Sequence, residues 1–292
     1  MVKVSGLVIA SDGAEKHGLI DIVDTPVYGG WKFLLREKIL NPDIVLRNGA
    51  PLIEPVIKAM FDSSLVNDVV IVGNEDQCEN LERVVSRVKS GKTYKIVPNK
   101  GHIGEAVATG ADNISLPGYF FIIMPDLPFV TGQAIDFAVA DILRVENLGA
   151  DVYLPVISHD FFKQHNDGFV RTFARLRTNG VKGRYKNLDF VIANSRTVNP
   201  EAIEKYYEIR MIHTLRGMST AIRHFPTLVP EVAIKYVTSR LSISDLEGIG
   251  SELYGGEVRA VEVFDPVYAA FMKDIDTLRD YRAYQRSENR KS

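Results

Sequence analysis

The sequence predicts an α/β fold with a doubly wound, mostly parallel sheet and a helical insert in its C-terminal half. Two observations support this prediction. Over about the first 150 residues, short apolar runs alternate with helix-like stretches, an order that is typical of βαβ units. The runs are apolar at successive positions rather than at every second one, as expected of strands that helices cover on both faces.

In the first half, strands are predicted where apolar runs end in turn residues, at 6–10, 68–73, 94–98 and 119–124. Helical patterns follow them in the chain, at 52–61, 77–89, 103–113 and 131–147. Parallel neighbouring strands need a long crossover connection, and a helix is the usual one. The order of these elements therefore favours a parallel sheet.

The second half has a different pattern. Strands are predicted at 151–157, 188–193 and 258–263, and a closing helix at 276–285. Residues 159–186 are polar and rich in turn residues, whereas 200–253 are dominantly helical. Because there is no internal repeat and no linker rich in proline or serine, we expect one domain over 1–292, in which 200–255 form a helical insert.

The composition excludes several classes of protein. Of the 292 residues, 46% are hydrophobic and 25% charged, as in an ordinary globular chain. The net charge is −2 without a block of Lys or Arg, so nucleic acid is not an expected partner. Cys78 is the only cysteine, which rules out an intramolecular disulfide. No run of about 18 apolar residues and no secretory signal pattern occurs, so we expect no transmembrane segment and a cytoplasmic protein.

Asp126 is the most informative polar residue. It follows a buried strand directly, between Pro125 and Pro128, and ligands of open α/β sheets bind beyond the carboxyl ends of strands. A carboxylate there can hold a hard divalent cation against substrate phosphates. The alternative is a helix cap, but Thr131 is better placed to cap the following helix.

A second acidic group, Asp274 and Asp276, lies where the last predicted helix begins. Carboxylates at a helix start are often only partners of the helix dipole. Two carboxylates on one side of a phosphate site are also what a magnesium-assisted nucleotidyl transfer needs. The motif alone leaves both interpretations open.

Two other patterns have plain interpretations. His159, Asp160, His165 and Asp167 lack the helical spacing that brings two imidazoles together, so a solvated loop is expected there. Gly248-Ile-Gly250 is half of a dinucleotide fingerprint, follows a helical stretch, and is interpreted as a turn between helices.

Six segments occur in an order that resembles a known family. They are GLVIASDG at 6–13, NGAPLIEPVIKAM at 48–60, NDVVIVGN at 67–74, GHIGEAVATGADNI at 101–114, FFIIMPDLPFVT at 120–131 and DIDTLRDYRAY at 274–284. The chain resembles the NTP-transferase family of the molybdenum-cofactor type and its sugar-nucleotide relatives, over nearly its whole length. The resemblance implies a Rossmann-like fold of the GT-A nucleotidyltransferase type.

The resemblance also implies an activity: Mg²⁺-dependent transfer of a nucleoside monophosphate from an NTP to a phosphorylated or hydroxyl acceptor, with release of pyrophosphate. Asp126 and Asp276 match the two metal ligands, and Asn187 matches a residue that faces the acceptor. The implied nucleotide-binding residues form two groups, one around the triphosphate and one around the base: Ala10, Ser11, Asp12 and Gly13, then Gly104, Glu105, Ala106 and Gly110.

The triphosphate loop departs from the family pattern. Ser11 and Asp12 stand where the family has a pair of glycines, which restricts the backbone and adds a negative charge near the phosphates. Asp43 stands where the family has a lysine, and the candidates to replace that cation are Lys16, Lys32, Lys38 and Arg47.

These departures leave two alternatives to a nucleotidyltransferase. One is a nucleotide-binding protein whose catalysis is impaired, and the other is a GT-A glycosyltransferase in which Asp274-x-Asp276 serves as the DxD motif. The expected partners are an NTP and a small-molecule or lipid-linked acceptor, and a homo-oligomer fits the sequence as well.

The apolar positions between His213 and Leu241 are interpreted as a helical pair packed on the sheet. The alternative is an exposed stripe that receives a lipid-linked acceptor or a partner subunit.

Overall fold

The computed structural model describes residues 2–10, 51–88, 90–99, 103–115, 117–144, 149–169, 171, 173–210, 232, 234–235, 238–275 and 278–291. Within these ranges the strands are β1 (Val4–Ile9), β2 (Val66–Asn74), β3 (Thr93–Asn99), β4 (Tyr119–Ile123), β5 (Val152–Ser158), β6 (Ala174–Thr178), β7 (Val181–Asn187), β8 (Phe190–Asn194) and β9 (Val258–Glu262). The helices are α1 (Glu54–Asp62), α2 (Cys78–Val88), α3 (Ile103–Asn113), α4 (Gly132–Ile142), α5 (His159–His165), α6 (Pro200–Arg210), α7 (Ile243–Tyr254) and α8 (Leu278–Lys291).

The first four strands form the parallel half of the sheet, in the order β3-β2-β1-β4. Helices α1 to α4 alternate with these strands and follow the predicted ranges closely. Thr131 accepts a hydrogen bond from the amide of Ala134 and caps α4, as predicted. The predicted α/β, Rossmann-like fold is confirmed.

Both faces of the parallel half are buried, which explains the uninterrupted apolar runs. In β1, Val4 and Val8 belong to one hydrophobic cluster, whereas Leu7 and Ile9 belong to another on the opposite face. Helices α1, α2 and α4 cover the first face, and α3 with α6 covers the second. Because side chains alternate between the faces, each strand contributes to both clusters.

The C-terminal half makes the sheet mixed. Strand β8 lies antiparallel between β4 and β5, and β9 pairs in parallel with the other side of β5. Strand β7 is antiparallel to β5 near its carboxyl end and forms a hairpin with β6. The sequence patterns predicted β5, β8 and β9 but carried no information on their direction.

The polar segment at 159–186 is not a loop, which corrects the prediction. It contains α5 and the β6–β7 hairpin, so the histidines of the His159–Asp167 cluster lie on a helix. The hairpin escaped prediction because one of its faces is occupied by charged residues. Gly248 and Gly250 are not in a turn either, since both lie inside α7.

Of the predicted helical insert, the structure describes α6 and α7. Most of the apolar positions that motivated a docking stripe, Ile222, Phe225 and Val229 among them, lie outside the described residues. Val232 is described, and it is partly buried against the cluster of Leu176 and Leu241. No helix in the described ranges is long and apolar enough to cross a membrane.

Candidate functional site

The carboxyl ends of the parallel strands form the edge at which a ligand site is expected. Ala10 follows β1, is buried, and donates its amide hydrogen to the carbonyl of Val72 at 2.7 Å. Asn74 and Asn99 end β2 and β3 and are paired with one another in the strand register. Asp126 lies three residues beyond the end of β4, on the same edge.

The loop that carries Asp126 is held from two sides. On one side, the amide of Met124 donates to the carbonyl of Asp189 at 3.3 Å. On the other, the amide of Ile275 donates to the carbonyl of Asp126 at 2.9 Å. Leu127 in the same loop is fully buried. The position of Asp126 is therefore set by the start of β8 and by the segment that precedes α8.

The backbone contact with Ile275 bears on the predicted pairing of Asp126 with Asp276. Asp276 itself lies outside the described residues. Its chain neighbour Ile275 is buried and hydrogen-bonded to Asp126, so two segments separated by about half of the chain meet at this edge. One carboxylate oxygen of Asp126, Oδ1, is shielded from solvent.

A cluster of buried charges supports the same segment. The guanidinium of Arg171 donates to Asp274 through Nε at 2.7 Å and to Asp280 through Nη1 at 2.8 Å. The ammonium of Lys186 lies 2.9 Å from Asp189 and 3.8 Å from Asp274. All of these side chains are nearly buried, and their opposite charges compensate one another.

Lys186 stays charged in this cluster. Burial alone lowers the pKa of Lys186, but the carboxylates of Asp189 and Asp274 outweigh burial and raise it above its ordinary value. Lys186, which lies on β7, therefore keeps a positive charge next to the segment that leads to α8.

Close packing explains why three of the four predicted base-binding positions on α3 carry small residues. A Cβ atom at Gly104 would lie 2.2 Å from the Pro200 carbonyl oxygen, and one at Gly110 would lie 2.4 Å from a methyl group of Leu7. The amide of Gly104 donates to the carboxylate of Glu204 at 3.2 Å. Ala106 is fully buried, and Glu105 is exposed. Nucleotide contact at these four positions stays a prediction.

Other predicted residues divide between the described and the undescribed parts of the chain. Asn187 ends β7, where its backbone pairs with Val156, two residues before the Asp189 carbonyl that holds Met124. It therefore lies on the same edge as Asp126. The triphosphate-loop residues Ser11, Asp12 and Gly13 lie outside the described residues, as do Asp43 and the candidate cations Lys16, Lys32, Lys38 and Arg47.

The chemistry of the donor set fits Mg²⁺. This ion takes oxygen ligands and is usually held by one or two carboxylates together with substrate phosphates. Asp126 offers one such carboxylate at the expected edge. Among the described residues there is no group of three or more His, Cys, Asp or Glu side chains that could hold a metal by themselves, and this includes the His159–Asp167 cluster.

Sequence reasoning missed the buried charge cluster. The sequence pattern marks Asp274 only as part of an acidic motif. No local pattern marks Arg171, which lies 103 positions from Asp274. The spacing of Lys186 and Asp189 across the β7–β8 junction was the one local signal, because these residues form an ion pair three positions apart.

Comparison with known proteins shows the fold. No protein-family model matches the sequence, and neither does any curated protein sequence. A hypothetical transferase from Thermus thermophilus is similar in structure, with a TM-score of 0.63 and 18% identity over 96% of this chain and 100% of that one. CMP:2-keto-3-deoxy-manno-octonic acid synthetase, solved with CTP, has a TM-score of 0.56 at 11% identity over 99% of this chain and 100% of its own.

A third similar structure is 4-diphosphocytidyl-2C-methyl-D-erythritol synthase from Anaerococcus prevotii, with a TM-score of 0.53 and 9% identity over 99% of this chain and 96% of that one. Similarity at these identities establishes a shared α/β fold over almost the whole chain. It confirms the fold that the resemblance implied, whereas membership of the molybdenum-cofactor-type family is not confirmed.

Proposed function

We propose that this protein is a Mg²⁺-dependent nucleotidyltransferase, which moves a nucleoside monophosphate from an NTP to a phosphorylated or hydroxyl acceptor and releases pyrophosphate. The observation that carries the proposal is the hydrogen bond from the Ile275 amide to the Asp126 carbonyl, because it brings the segment of Asp276 to the loop of Asp126. The fold supports the proposal, since two similar structures are CMP:2-keto-3-deoxy-manno-octonic acid synthetase, solved with CTP, and 4-diphosphocytidyl-2C-methyl-D-erythritol synthase.

In this reaction, two carboxylates would hold the metal and backbone hydrogen bonds would position one of them. Asp126 and Asp276 would hold Mg²⁺, which supplies charge compensation for the α-phosphate when bound. The hydrogen bonds at Met124 and Ile275 keep the Asp126 loop in place before substrate arrives, so little reorganisation is needed during the reaction. The acceptor oxygen displaces pyrophosphate in line, a reaction that depends on positioning and electrostatics more than on a catalytic histidine.

The buried charges favour a nucleotidyltransferase over a glycosyltransferase. A DxD motif at 274–276 would require the carboxylate of Asp274 to bind a metal. That carboxylate is buried and already bound by Arg171 at 2.7 Å, with Lys186 at 3.8 Å. Freeing it would take one carboxylate partner away from each of two buried cations, leaving Arg171 with Asp280 and Lys186 with Asp189.

Pyrophosphate release tests the proposal. The protein is incubated with Mg²⁺, each of the four NTPs and a panel of sugar phosphates and sugar acids. We expect turnover with one NTP, and Asp126→Asn should lower it by about 10²-fold or more, the scale of losing one preorganised electrostatic group. Asp62→Asn is the matched control, because Asp62 is an exposed carboxylate whose salt bridge is to Lys58 within α1.

The outcomes separate the proposal from its alternatives. Binding of an NTP without pyrophosphate release from any acceptor would support the catalytically impaired nucleotide-binding protein. Release of a nucleoside diphosphate from a nucleotide sugar would support the glycosyltransferase. Equal turnover in Asp126→Asn and Asp62→Asn would contradict the role proposed for Asp126.

A further inference from the structure

The β6–β7 hairpin carries four cations on one of its faces. Arg175 pairs directly with Arg184 across the hairpin, and Arg177 pairs with Lys182. Because side chains alternate along a strand and cross-strand partners share a face, all four project from the same side. We call this set, Arg175, Arg177, Lys182 and Arg184, the hairpin cation face.

Apolar packing on the opposite face of the hairpin keeps β6 and β7 in the register that places the four cations together. Leu176 and Tyr185 are buried there and pack against Leu241 and Ile243. Gly183 is required beneath the ring of Tyr185, since a Cβ atom at Gly183 would lie 2.6 Å from a ring carbon. The apolar side thus fixes the register that places like charges opposite each other.

Like charges directly opposite each other destabilise a strand pair, so the hairpin cation face needs compensation. Within the part of the chain that the structure describes, none of the four cations forms an ion pair with a carboxylate. Arg177 donates to the carbonyl of Ser239 at 2.9 Å, and Arg184 contacts Nδ1 of His159 at 2.8 Å. Both contacts are to neutral groups, so the excess of positive charge remains.

His159 adds a neutral donor rather than a counter-charge. A guanidinium can only donate, so Nδ1 of His159 accepts from Arg184 and the proton of the ring is on Nε2. Burial, with Arg184 and Lys163 nearby, lowers the pKa of His159, and the neutral ring is favoured. The carboxylate of Asp160 is 89% exposed and lies 3.9 Å from Nδ1 of His159.

The charged face borders a concave site of small-molecule size. A cavity of about 520 Å³ is lined by residues of the hairpin and of the β5–α5 junction, including His159, Arg175, Lys182, Gly183 and Arg184. Volumes of this order suit ligands of low molecular weight, whereas a backbone of nucleic acid or a membrane needs an extended basic surface. Two guanidinium groups side by side are the side chains best suited to a phosphate.

The hairpin cation face is connected to the candidate active site through β7. Lys186 is two residues beyond Arg184 and on the same strand face, and it pairs with Asp189 and Asp274 beside the Asp126 loop. At about 3.3 Å per residue along a strand, Arg184 lies roughly 10 Å from Asn187, the last residue of β7. A molecule of moderate length could reach from one site to the other.

We propose that the hairpin cation face binds the phosphate group of a small phosphorylated molecule, with Arg175 and Arg184 as its main ligands. The phosphate would supply the negative charge that the cross-strand arginine pair lacks. That this molecule is the acceptor of the nucleotidyl transfer rests on the proposed function, and it would make the acceptor a phosphate ester that is anchored away from the reacting oxygen.

Binding of inorganic phosphate, followed by NMR at constant ionic strength, tests the proposal. The amide signal of Gly183 reports on the cavity, and we expect it to shift with saturation in the wild-type protein. In Arg175→Gln combined with Arg184→Gln, the affinity reported by that signal should fall by at least about tenfold, as expected on losing a charge-assisted hydrogen bond. Lys58→Gln combined with Arg83→Gln is the matched control, since it removes two exposed cations elsewhere.

A second variant keeps the test valid if the double glutamine variant does not fold. Arg175→Lys combined with Arg184→Lys retains both charges but loses the bidentate geometry, so phosphate binding should weaken while the fold is kept. An unchanged affinity in both variants, or no saturable shift of Gly183, would overturn the proposal. Tighter binding of a single-stranded oligonucleotide or of anionic phosphatidylserine vesicles at the same signal would overturn the small-molecule assignment.

The readout separates this inference from the proposed function. Phosphate binding is measured without turnover and without a nucleotide. If Gly183 responds to phosphate as expected but Asp126→Asn leaves pyrophosphate release unchanged, the anion site stands and the nucleotidyltransferase mechanism fails. If Asp126→Asn abolishes pyrophosphate release but phosphate binding does not depend on Arg175 and Arg184, the nucleotidyltransferase mechanism stands and the anion site fails.

Discussion

A single side chain, Arg171, joins the segment in front of α8 to the first turn of α8. Its guanidinium binds Asp274 and Asp280, and it also donates to the Asp274 carbonyl. A planar guanidinium can make such contacts simultaneously, whereas a lysine ammonium cannot match their geometry. At the residue scale, Arg171 is therefore the positioning residue for the segment that contacts Asp126.

Replacing Arg171 should be costly. Arg171→Met leaves Asp274 and Asp280 buried with their main partner removed, and we expect a loss of about 3–5 kcal/mol in the free energy of unfolding. Arg83→Met, at a side chain that is 62% exposed and forms a salt bridge with Glu79 within α2, should cost less than about 1 kcal/mol. Urea denaturation of both variants measures the difference. A cost for Arg171→Met as small as that of the control would show that the cluster is not compensating buried charge.

A comparison of Gly104 in α3 with Gly248 in α7 tests whether close packing is what requires glycine at Gly104. Ala at Gly104 would place its Cβ atom 2.2 Å from the Pro200 carbonyl oxygen, so Gly104→Ala should destabilise the protein by about 1–3 kcal/mol. Gly248 in the interior of α7 has nothing within 4 Å of its added Cβ atom, so Gly248→Ala should stabilise by about 0.5–1 kcal/mol through helix propensity. Opposite signs in chemical denaturation are the expected result, and destabilisation by both variants would contradict the packing explanation.

At the scale of elements, the cap at the start of α7 gives a stabilisation that depends on pH. Ser242 and Asp245 form a reciprocal capping box, and Lys235 donates to Asp245 at 2.8 Å. The hydrogen bond from Lys235, followed by those from Ser242, lowers the pKa of Asp245 from 3.8 to about 2. Because the folded pKa is depressed, this stabilisation is fully present above the unfolded pKa and is lost as the pH falls through the folded one.

The cap gives a prediction about acid stability. The difference in free energy of unfolding between the wild-type protein and Asp245→Asn should be constant from about pH 5 to 7 and should shrink as the pH falls from about 4 to 2. Ser242→Ala should cost about 1 kcal/mol at neutral pH through loss of the same cap. Thermal unfolding monitored by circular dichroism measures both. A difference that stays unchanged down to pH 2 would contradict the assigned cause.

The elements that the sequence predicted are those with a local signature. β1, β2 and β4 were predictable because burial on both faces makes them apolar throughout, and α3 because its apolar periodicity ends at turn residues. The β6–β7 hairpin was not, because its pattern of Arg and Lys on one face resembles a solvated loop. Strand direction in the C-terminal half depends on long connections that no local pattern records.

At the scale of the whole molecule, the position of Asp126 at the carboxyl edge of the parallel strands was predictable, whereas the contacts that hold its loop were not. Asp126 follows a buried strand, and the rule that ligands bind beyond the carboxyl ends of parallel strands sufficed to select it. The hydrogen bond from Ile275 and the ion pairs of Arg171 join residues that are far apart in the chain. Only tertiary structure brings these residues together, so a single sequence could not show them.

The most direct test of the central claim is whether Asp126 and Asp276 hold one divalent cation together with an NTP. Calorimetric titration compares the affinity for the tightest-binding of the four NTPs in Mg²⁺ with that in EDTA, for the wild-type protein, Asp126→Asn, Asp276→Asn, the double variant and the control Asp62→Asn. If one cation needs both carboxylates, each single variant should bind the NTP in Mg²⁺ as weakly as the wild-type protein does in EDTA, and the double variant should bind no more weakly than either. Wild-type Mg²⁺-dependence in either single variant, or effects that simply add in the double variant, would contradict the account.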